Sequence, residues 1–321
     1  MNGSTSLLFA AAPVIMMRDM ERIIILLEDK WNTESLPGAA AAANTYRKYG
    51  FDTDVCIVKE QDLAAPGVHE DVFGTLYIAD SARLLRQLIG SGAAFCAYSH
   101  SGNGNEDLGA ADYILMELQW VDRDSLIKIW QRQRNIPWTI LETERFVVRE
   151  FVPEDLGAIY ELYDEEARRF LEPPSVNRSL EKEILSAYIR RVYRLCGYGH
   201  WAVIAKKSGE LIGRMGFAFP PSADPGFPSV PDAMFGYLVR RDRRRQGIVI
   251  EAGAAILQYG FDKLGFETIG ADTAVSNTVS DKILRTFSFI PVAEVQNQRY
   301  YILHKKNWDQ CPARDAQECS K

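Results

Sequence analysis

Metal-ligating and cross-linking residues are scarce in this sequence. Its five cysteines (Cys56, Cys96, Cys196, Cys311 and Cys319) form no C-x-x-C pair, and its four histidines (His69, His100, His200 and His304) fall in no ligand spacing. A disulfide scaffold and a structural zinc site are thereby excluded, no metal is expected, and a reducing, cytoplasmic compartment is favoured. Positive charge is not in excess either. Lys and Arg number 37 against 43 Asp and Glu, giving −6, which argues against affinity built on the phosphates of a nucleic acid. Long apolar runs are also missing. Leu7–Met17 (LLFAAAPVIMM) is broken by Pro13, is too short to span a bilayer and follows no basic residue, so it predicts neither a membrane segment nor a secretion signal. Residues 1–20 are read as a disordered or misassigned start, with Met17 or Met20 as a natural beginning. What is present is the composition of a globular protein, 47% hydrophobic and 25% charged over 321 residues, a length that predicts two domains.

The pattern along the chain divides it accordingly. From Arg22 to about Arg134 short apolar runs alternate with helical stretches: Ile23–Leu27, Thr53–Val58, Leu76–Ala79, Ala94–Tyr98 and Tyr113–Glu117 read as strands. Gly38–Tyr49, Ala82–Ile89 (capped by Ser81) and Asp124–Arg134 read as helices. Such alternation implies a parallel sheet with helices on both faces. Asn135-Ile-Pro-Trp138 reads as a linker. Beyond it, Thr143–Phe151 alternates like a half-solvated strand and Pro153-Glu-Asp155 opens a helix. A helix Leu180–Arg194 follows, then strands His200–Lys206, Leu211–Phe219 and Ala233–Val239, a helix Ile248–Leu264, and strands near Thr268–Ala274 and Arg299–His304. The fold class is therefore two-domain α/β: residues 21–135 with a parallel sheet, residues 136–310 mixed α/β with an antiparallel meander, and 311–321 as a flexible tail.

Between strand Ala233–Val239 and helix Ile248–Leu264 lies Arg240-Arg-Asp-Arg-Arg-Arg-Gln-Gly-Ile-Val249. A strand running through a basic, glycine-containing turn into a long helix aims unpaired backbone N–H groups and a positive helix end at one spot, an arrangement suited to an anion. Gly247 permits close backbone approach, and Arg240, Arg241, Arg243, Arg244 and Arg245 would add charge around it. The alternative is a solvated arginine turn on the surface.

This segment, Arg244-Arg-Gln-Gly247-Ile-Val249, resembles the R/Q-x-x-G-x-G/A pyrophosphate loop of the GNAT acyltransferases, with Val249 in place of the usual small residue. Asn277-Thr-Val-Ser280, Ile283-Leu284 and Phe287-Ser-Phe-Ile-Pro-Val292 resemble that superfamily's closing segment. Leu141–Arg149, Tyr198–Val203 and Leu211–Gly216 are similar to the branch that acetylates the N-terminal amines of ribosomal proteins. Together these motifs span about Trp138 to Trp308.

The resemblance implies acetyl-CoA as cosubstrate, lying where the central strand Ala233–Val239 splays from its neighbour. Its arm would pair with backbone at Leu238 and Val239, its pyrophosphate would sit at Arg244, Arg245, Gln246, Gly247, Ile248 and Val249, and Asn277 would hold the arm from the other side. It also implies direct attack by a primary amine, on a small molecule or a protein N-terminus. Leu284 stands where many relatives carry a tyrosine acid, so Ser280 is the implied proton donor. Met234-Phe235-Gly236-Tyr237 lacks the glutamate base often found before Gly-Tyr, with Asp232, Glu251, His200 or a water chain as replacements. The expected function is acetyl-CoA-dependent N-acetylation. The alternative is an acyl-CoA-binding sensor or regulatory protein that has lost efficient chemistry. An acidic chain suits a cationic amine; no nucleic-acid or membrane partner is expected, and a homodimer is left open.

In the first domain, Leu76-Tyr-Ile-Ala-Asp80-Ser81, the loop Ser101-Gly-Asn-Gly-Asn105 and Ala111-Asp-Tyr-Ile114 resemble the second half of a haloacid-dehalogenase-type phosphatase. That resemblance implies a Rossmann-like sheet. The D-x-D motif of such enzymes is broken, because Asp29 is followed at the second position by Trp31. The domain is therefore expected to be noncatalytic, the alternative being an aspartate-nucleophile, magnesium-dependent phosphatase.

Overall fold

The computed structural model describes residues 19–62, 72–220 and 226–315. The chain divides between Ile136 and Pro137 into two compact units, and each is described by itself. Among the described residues no helix is long and apolar enough to cross a membrane.

The first unit runs β1 (Arg22–Glu28), α1 (Asn32–Lys48), β2 (Asp52–Val58), β3 (Thr75–Ala79), α2 (Ala82–Leu88), β4 (Ala94–Tyr98), β5 (Ile114–Leu115) and α3 (Arg123–Gln133). All its strands are parallel, in the order β2-β1-β3-β4-β5. Strand β1 is buried on both faces, and its alternate side chains go opposite ways. Ile23, Ile25 and Leu27 join Ala39, Ala42 and Tyr46 of α1 and Leu126, Ile129 and Trp130 of α3. Ile24 and Leu26 join Leu84, Leu85 and Leu88 of α2. Helices thus cover both faces, as a near-continuous apolar strand requires.

Two boundaries differ from the sequence expectation. Helix α1 begins at Asn32 and carries Pro37 in its interior; the proline forfeits one backbone donor without ending the helix. Met20, assigned above to a disordered start, is buried in the cluster around β1. Residues 1–18 of that expected segment lie outside the described residues.

The second unit runs β6 (Thr139–Glu142), β7 (Phe146–Arg149), α4 (Leu156–Leu162), α5 (Arg178–Cys196), β8 (His200–Ala205), β9 (Leu211–Ala218), β10 (Ala233–Val239), α6 (Ile248–Asp262), β11 (Thr268–Ala274), α7 (Thr278–Thr286), β12 (Ile290–Val295), β13 (Gln298–His304), α8 (Lys305–Trp308) and α9 (Pro312–Asp315). Its eight strands follow the order β12-β13-β11-β10-β9-β8-β7-β6. Every pairing is antiparallel except β10 with β11.

The single strand expected over Thr143–Phe151 is instead a hairpin. Thr143 makes the turn, its N–H donating to the Phe146 carbonyl at 2.9 Å and its hydroxyl accepting from the Phe146 N–H at 3.1 Å. The flexible tail expected over residues 311–321 is not borne out at its start. Cys311 and Ala313 are buried in the unit's core, and residues 316–321 lie outside the described residues.

The sheet's two faces differ in chemistry. One packs Trp201, Phe217 and Phe235 against α6, with Trp201 edge-on to Tyr259 at 5.8 Å and the glycines Gly253 and Gly260 of α6 admitting Phe235, Phe287 and Phe217. The other carries His200, Arg214 and the neighbouring Tyr163 and Tyr188, beneath α4 and α5. Across this second face His200, Gly216 and Gly236 lie in register on three adjacent strands.

Gly216 has φ of 151°, and a Cβ there would sit inside the van der Waals envelope of the Gly199 carbonyl oxygen. Gly216→Ala is therefore expected to destabilise the protein by about 3 kcal/mol or more, read as a fall in the urea midpoint without a change in slope.

Candidate functional site

Strand β10 is the centre of the site because its two edges are treated differently. Met234–Val239 pair fully with Ala218–Gly213 of β9. On the other side only Ala233 and Met234 pair, with Ile269 and Gly270 of β11, before the strands part. The close approach at the paired end depends on Gly270, whose Cβ would lie 2.7 Å from the Met234 Sδ.

Hydrogen-bond parity decides which residues face the gap. The Arg240 N–H donates to the Ile212 carbonyl at 2.9 Å, so Leu238 and Gly236, in phase with it, direct their backbone groups at β9. Phe235, Tyr237 and Val239 face the gap. Leu238, expected from the sequence to pair with the cosubstrate arm, has the other parity and is in register with Arg214 of β9. Val239 is on the open edge, its carbonyl accepting from Arg244 Nε at 3.1 Å.

The loop after β10 reaches α6 through two left-handed residues, Arg245 (φ 63°) and Gly247 (φ 73°). Gly247 is the N-cap of α6 and no side chain caps the helix, whereas Ser81, Asp122, Asn177 and Asn277 cap α2, α3, α5 and α7. The Glu251 N–H bonds the Gly247 carbonyl at 3.0 Å, and the Gln246 carbonyl accepts from Arg145 Nη1 at 3.0 Å. The N–H groups of Ile248, Val249 and Ile250 form the uncapped first turn, a ready anion seat. The Ile248 side chain is buried, Val249 is half-buried, and Gln246 donates to the Asp242 carbonyl at 3.1 Å.

The arginines around this seat behave differently from the expectation that all five add free charge. Arg240 pairs with Asp242 at 2.8 Å and Arg243 with Glu210 at 2.8 Å. Arg241 lies 3.8 Å from Asp164, and Arg244 holds both Asp164 and Glu166 at 2.8 Å. Among the described residues Arg245 alone of the five makes no ion pair. The cluster is mainly a brace that fixes the loop to the end of α4, and the seat's polarity comes from backbone.

Asn277 and Ser280 occupy the far wall. Asn277 Oδ1 accepts from the Ser280 N–H at 3.2 Å as the cap of α7, and Ser280 is half-buried in the first turn. Sequence reasoning missed Tyr237. Its hydroxyl is buried with no partner in hydrogen-bonding geometry among the described residues. Burial pushes its phenol up to about 12, against the opposing influence of the Ser280 side chain. The signal was its place two residues before the strand end on the gap-facing parity.

The carboxylates and imidazole considered as bases are committed or inert. Glu251 is partly buried, which alone would raise its pKa, yet hydrogen bonds from Thr143 Oγ1 (2.7 Å) and Arg145 hold it below the usual range. Asp232 accepts from the N–H groups of Glu267 and Thr268, both at 2.8 Å. His200 is driven down to about 3, by burial first and by Arg214 second. Leu284, at the position of the missing tyrosine, is buried in the core.

Residues 145–290 match the family model described as an acetyltransferase (GNAT) domain. The chain is similar to the uncharacterized N-acetyltransferase YoaA of Bacillus subtilis (strain 168), 26% identical over 152 residues, covering 47% of this chain and 82% of that protein. Among solved structures, the ribosomal-protein-S5-alanine acetyltransferase from Vibrio fischeri is similar at 16% identity and a TM-score of 0.44, over 52% of this chain and 97% of that one. A GNAT-family acetyltransferase from Bacillus anthracis is similar at 17% identity and a TM-score of 0.42, over 52% and 98%.

In the first unit, polar groups gather at the carboxyl ends of β1 and β3, where a doubly wound sheet opens a crevice. Glu28 accepts from Arg83 Nε at 2.7 Å and from Ser81 Oγ at 2.9 Å. Asp29, offered by the sequence as a nucleophile, is exposed and accepts from Asn32. Asp80 is fully buried, accepts from the Glu28 N–H at 2.9 Å and lies 3.4 Å from His100 Nε2. Among the described residues no group of three or more His, Cys, Asp or Glu is placed to hold a metal.

Burial pushes the Asp80 carboxyl up to about 7, with the Glu28 N–H opposing the rise. A carboxyl raised on folding binds its proton more tightly in the native state, so its contribution to stability is full below about pH 4 and lost as pH climbs toward 7. Asp80→Asn is expected to flatten that part of the stability profile between pH 4 and 7, measured by denaturant titration at several pH values. An unchanged slope would contradict it.

Proposed function

We propose that this protein is an acetyl-CoA-dependent N-acetyltransferase acting on a primary amine of a small molecule or a peptide N-terminus. The observation that carries the reading is the continuity of β10's open edge with the uncapped start of α6: an extended arm and a terminal pyrophosphate have adjoining backbone partners. Tyr237 and Val239 would hold the arm, and the first turn from Gly247 to Val249 would seat the pyrophosphate. Asn277, with Oδ1 engaged as a cap, has its amide donor to offer from the opposite wall. When bound, acetyl-CoA supplies an acyl group on a thioester, which the neutral amine attacks. Gap-facing backbone N–H groups of Tyr237 and Val239 can donate to the acyl oxygen. The hydroxyls of Ser280 and Tyr237 can return a proton to the departing sulfur.

One observation favours the opposing reading of an acyl-CoA sensor: Glu251 and Asp232 are both tied into structural hydrogen bonds. An amine that arrives already neutral, or loses its proton to water, removes the need for either. For the first unit we propose a noncatalytic role, an HAD-like sheet whose Asp80 is buried rather than presented to substrate.

Calorimetry with CoA and acetyl-CoA tests the seat. Gly247→Glu should weaken both at least about tenfold, because a carboxylate and a strained backbone replace an open left-handed residue; unchanged affinity would sink the anion-seat reading. Thiol release with a panel of amines tests the chemistry, and its absence with every acceptor would favour the sensor. Ser280→Ala and Tyr237→Phe should each lower kcat about tenfold to a hundredfold, with acetyl-CoA affinity unaltered. A variant with full turnover would remove that hydroxyl from the proton path.

A further inference from the structure

Arg214 sits in mid-strand on β9, in register with Ala202 of β8 and Leu238 of β10. Strand alternation puts its side chain on the face beneath α4 and α5. There it lies over the Tyr163 ring, 5.4 Å from the centroid, and its charge acts on Tyr163, Tyr188 and His200. It is half-buried, yet among the described residues it has no carboxylate within ion-pair distance and no hydrogen-bond acceptor. Its neighbours in the unit contrast with it: Arg149, Arg240, Arg244 and Arg299 each grip a carboxylate at 3.1 Å or less. None of its nitrogens is both buried and unpaired, so the fork is open to an incoming anion. A planar fork of donors held over a ring is also well shaped for a carboxylate.

Beside it, the imidazole of His200 reaches across Gly216 to Gly236 of β10, where a Cβ would lie 2.9 Å from Nε2. His200 and Tyr188 also line a cavity of about 120 Å³, together with Val192, Tyr198 and Phe219. The cavity is apolar in most of its wall, and His200 and Tyr188, which line it, share the sheet face of Arg214.

We infer that the acceptor is a primary amine that carries a carboxylate and an apolar side chain: Arg214 takes the carboxylate, the aromatic cavity beside His200 takes the side chain, and the amine is left facing β10. This rests on the acetyltransferase reading above and narrows it. It also differs from the cationic acceptor suggested by the acidic composition, because Arg214 stands on this part of the sheet, with Glu181 and Glu150 acting on Tyr163 and Tyr188 from flanking elements.

The test uses the full chain saturated with CoA and two probes differing in one group, N-acetyl-L-phenylalanine and its C-terminal amide, titrated calorimetrically. The acid should bind at least about tenfold more tightly than the amide. Arg214→Met should abolish the preference and Arg214→Lys should retain part of it. Equal affinity for the two probes, binding of neither, or a preference that persists in Arg214→Met would overturn the inference. A prior titration of CoA alone separates the two levels. If wild type fails to bind CoA, the acetyltransferase reading fails. If CoA binds and the acid is not preferred, the acceptor inference fails by itself, and CoA binding by each variant establishes that it is folded.

Discussion

Backbone donors and acceptors in a protein interior must be paired, and the second unit departs from that requirement along one edge of β10. The parallel ladder between β10 and β11 ends after Met234, although β10 is fully paired to β9 and β11 is fully paired to β13. The two halves of an eight-stranded sheet are therefore joined by a hinge two residues long, with the α6 face supplying the remaining cohesion through Phe235, Phe287 and Ile256. Everything assigned to the site follows from this parting of strands. It exposes the edge groups of Tyr237 and Val239, gives Asn277 and Ser280 a wall to occupy, and brings the open edge to the start of α6.

The same sheet separates two kinds of chemistry by strand parity. Apart from Gly213, the odd-numbered residues of β9 and β10 are aromatic or aliphatic, and Phe217 and Phe235 pack on α6. Even-numbered ones include Arg214, Gly216 and Gly236, which leave a polar, thinly filled surface under α4 and α5. The proposed cosubstrate edge and the proposed acceptor face would thus lie at alternate positions of one strand pair. A one-residue slip of β9 against β10 would exchange them.

Much of this was legible in the sequence, and the failures have physical causes. The buried strands β1, β3 and β4 and the capped helix after Ser81 were readable because apolar runs bounded by glycine and a capping serine have few other structures. The succession of strand, arginine turn, Gly247 and long helix was readable with its uncapped helix start, since that order constrains the backbone. Two readings could not be made. Whether Leu238 or Val239 faces the gap depends on the register with β9, which is a long-range property that the strand itself does not encode. Whether the arginines are free depends on Asp164, Glu166 and Glu210, tens of residues away in sequence. Strand β12 was missed because it is an exposed edge strand containing Pro291, a residue tolerated only at such an edge.

The bracing of Arg240, Arg243 and Arg244 by carboxylates has a consequence for how the seat responds to its surroundings. A patch of free guanidinium groups attracts anions over a Debye length and loses that attraction as ionic strength rises. A helix end acts over its first turn only, and its field too is screened by salt. On the proposed reading, affinity for an anion would therefore rest more on the shape of a short stretch of backbone than on long-range attraction. The paired arginines would hold that shape rather than recruit the anion.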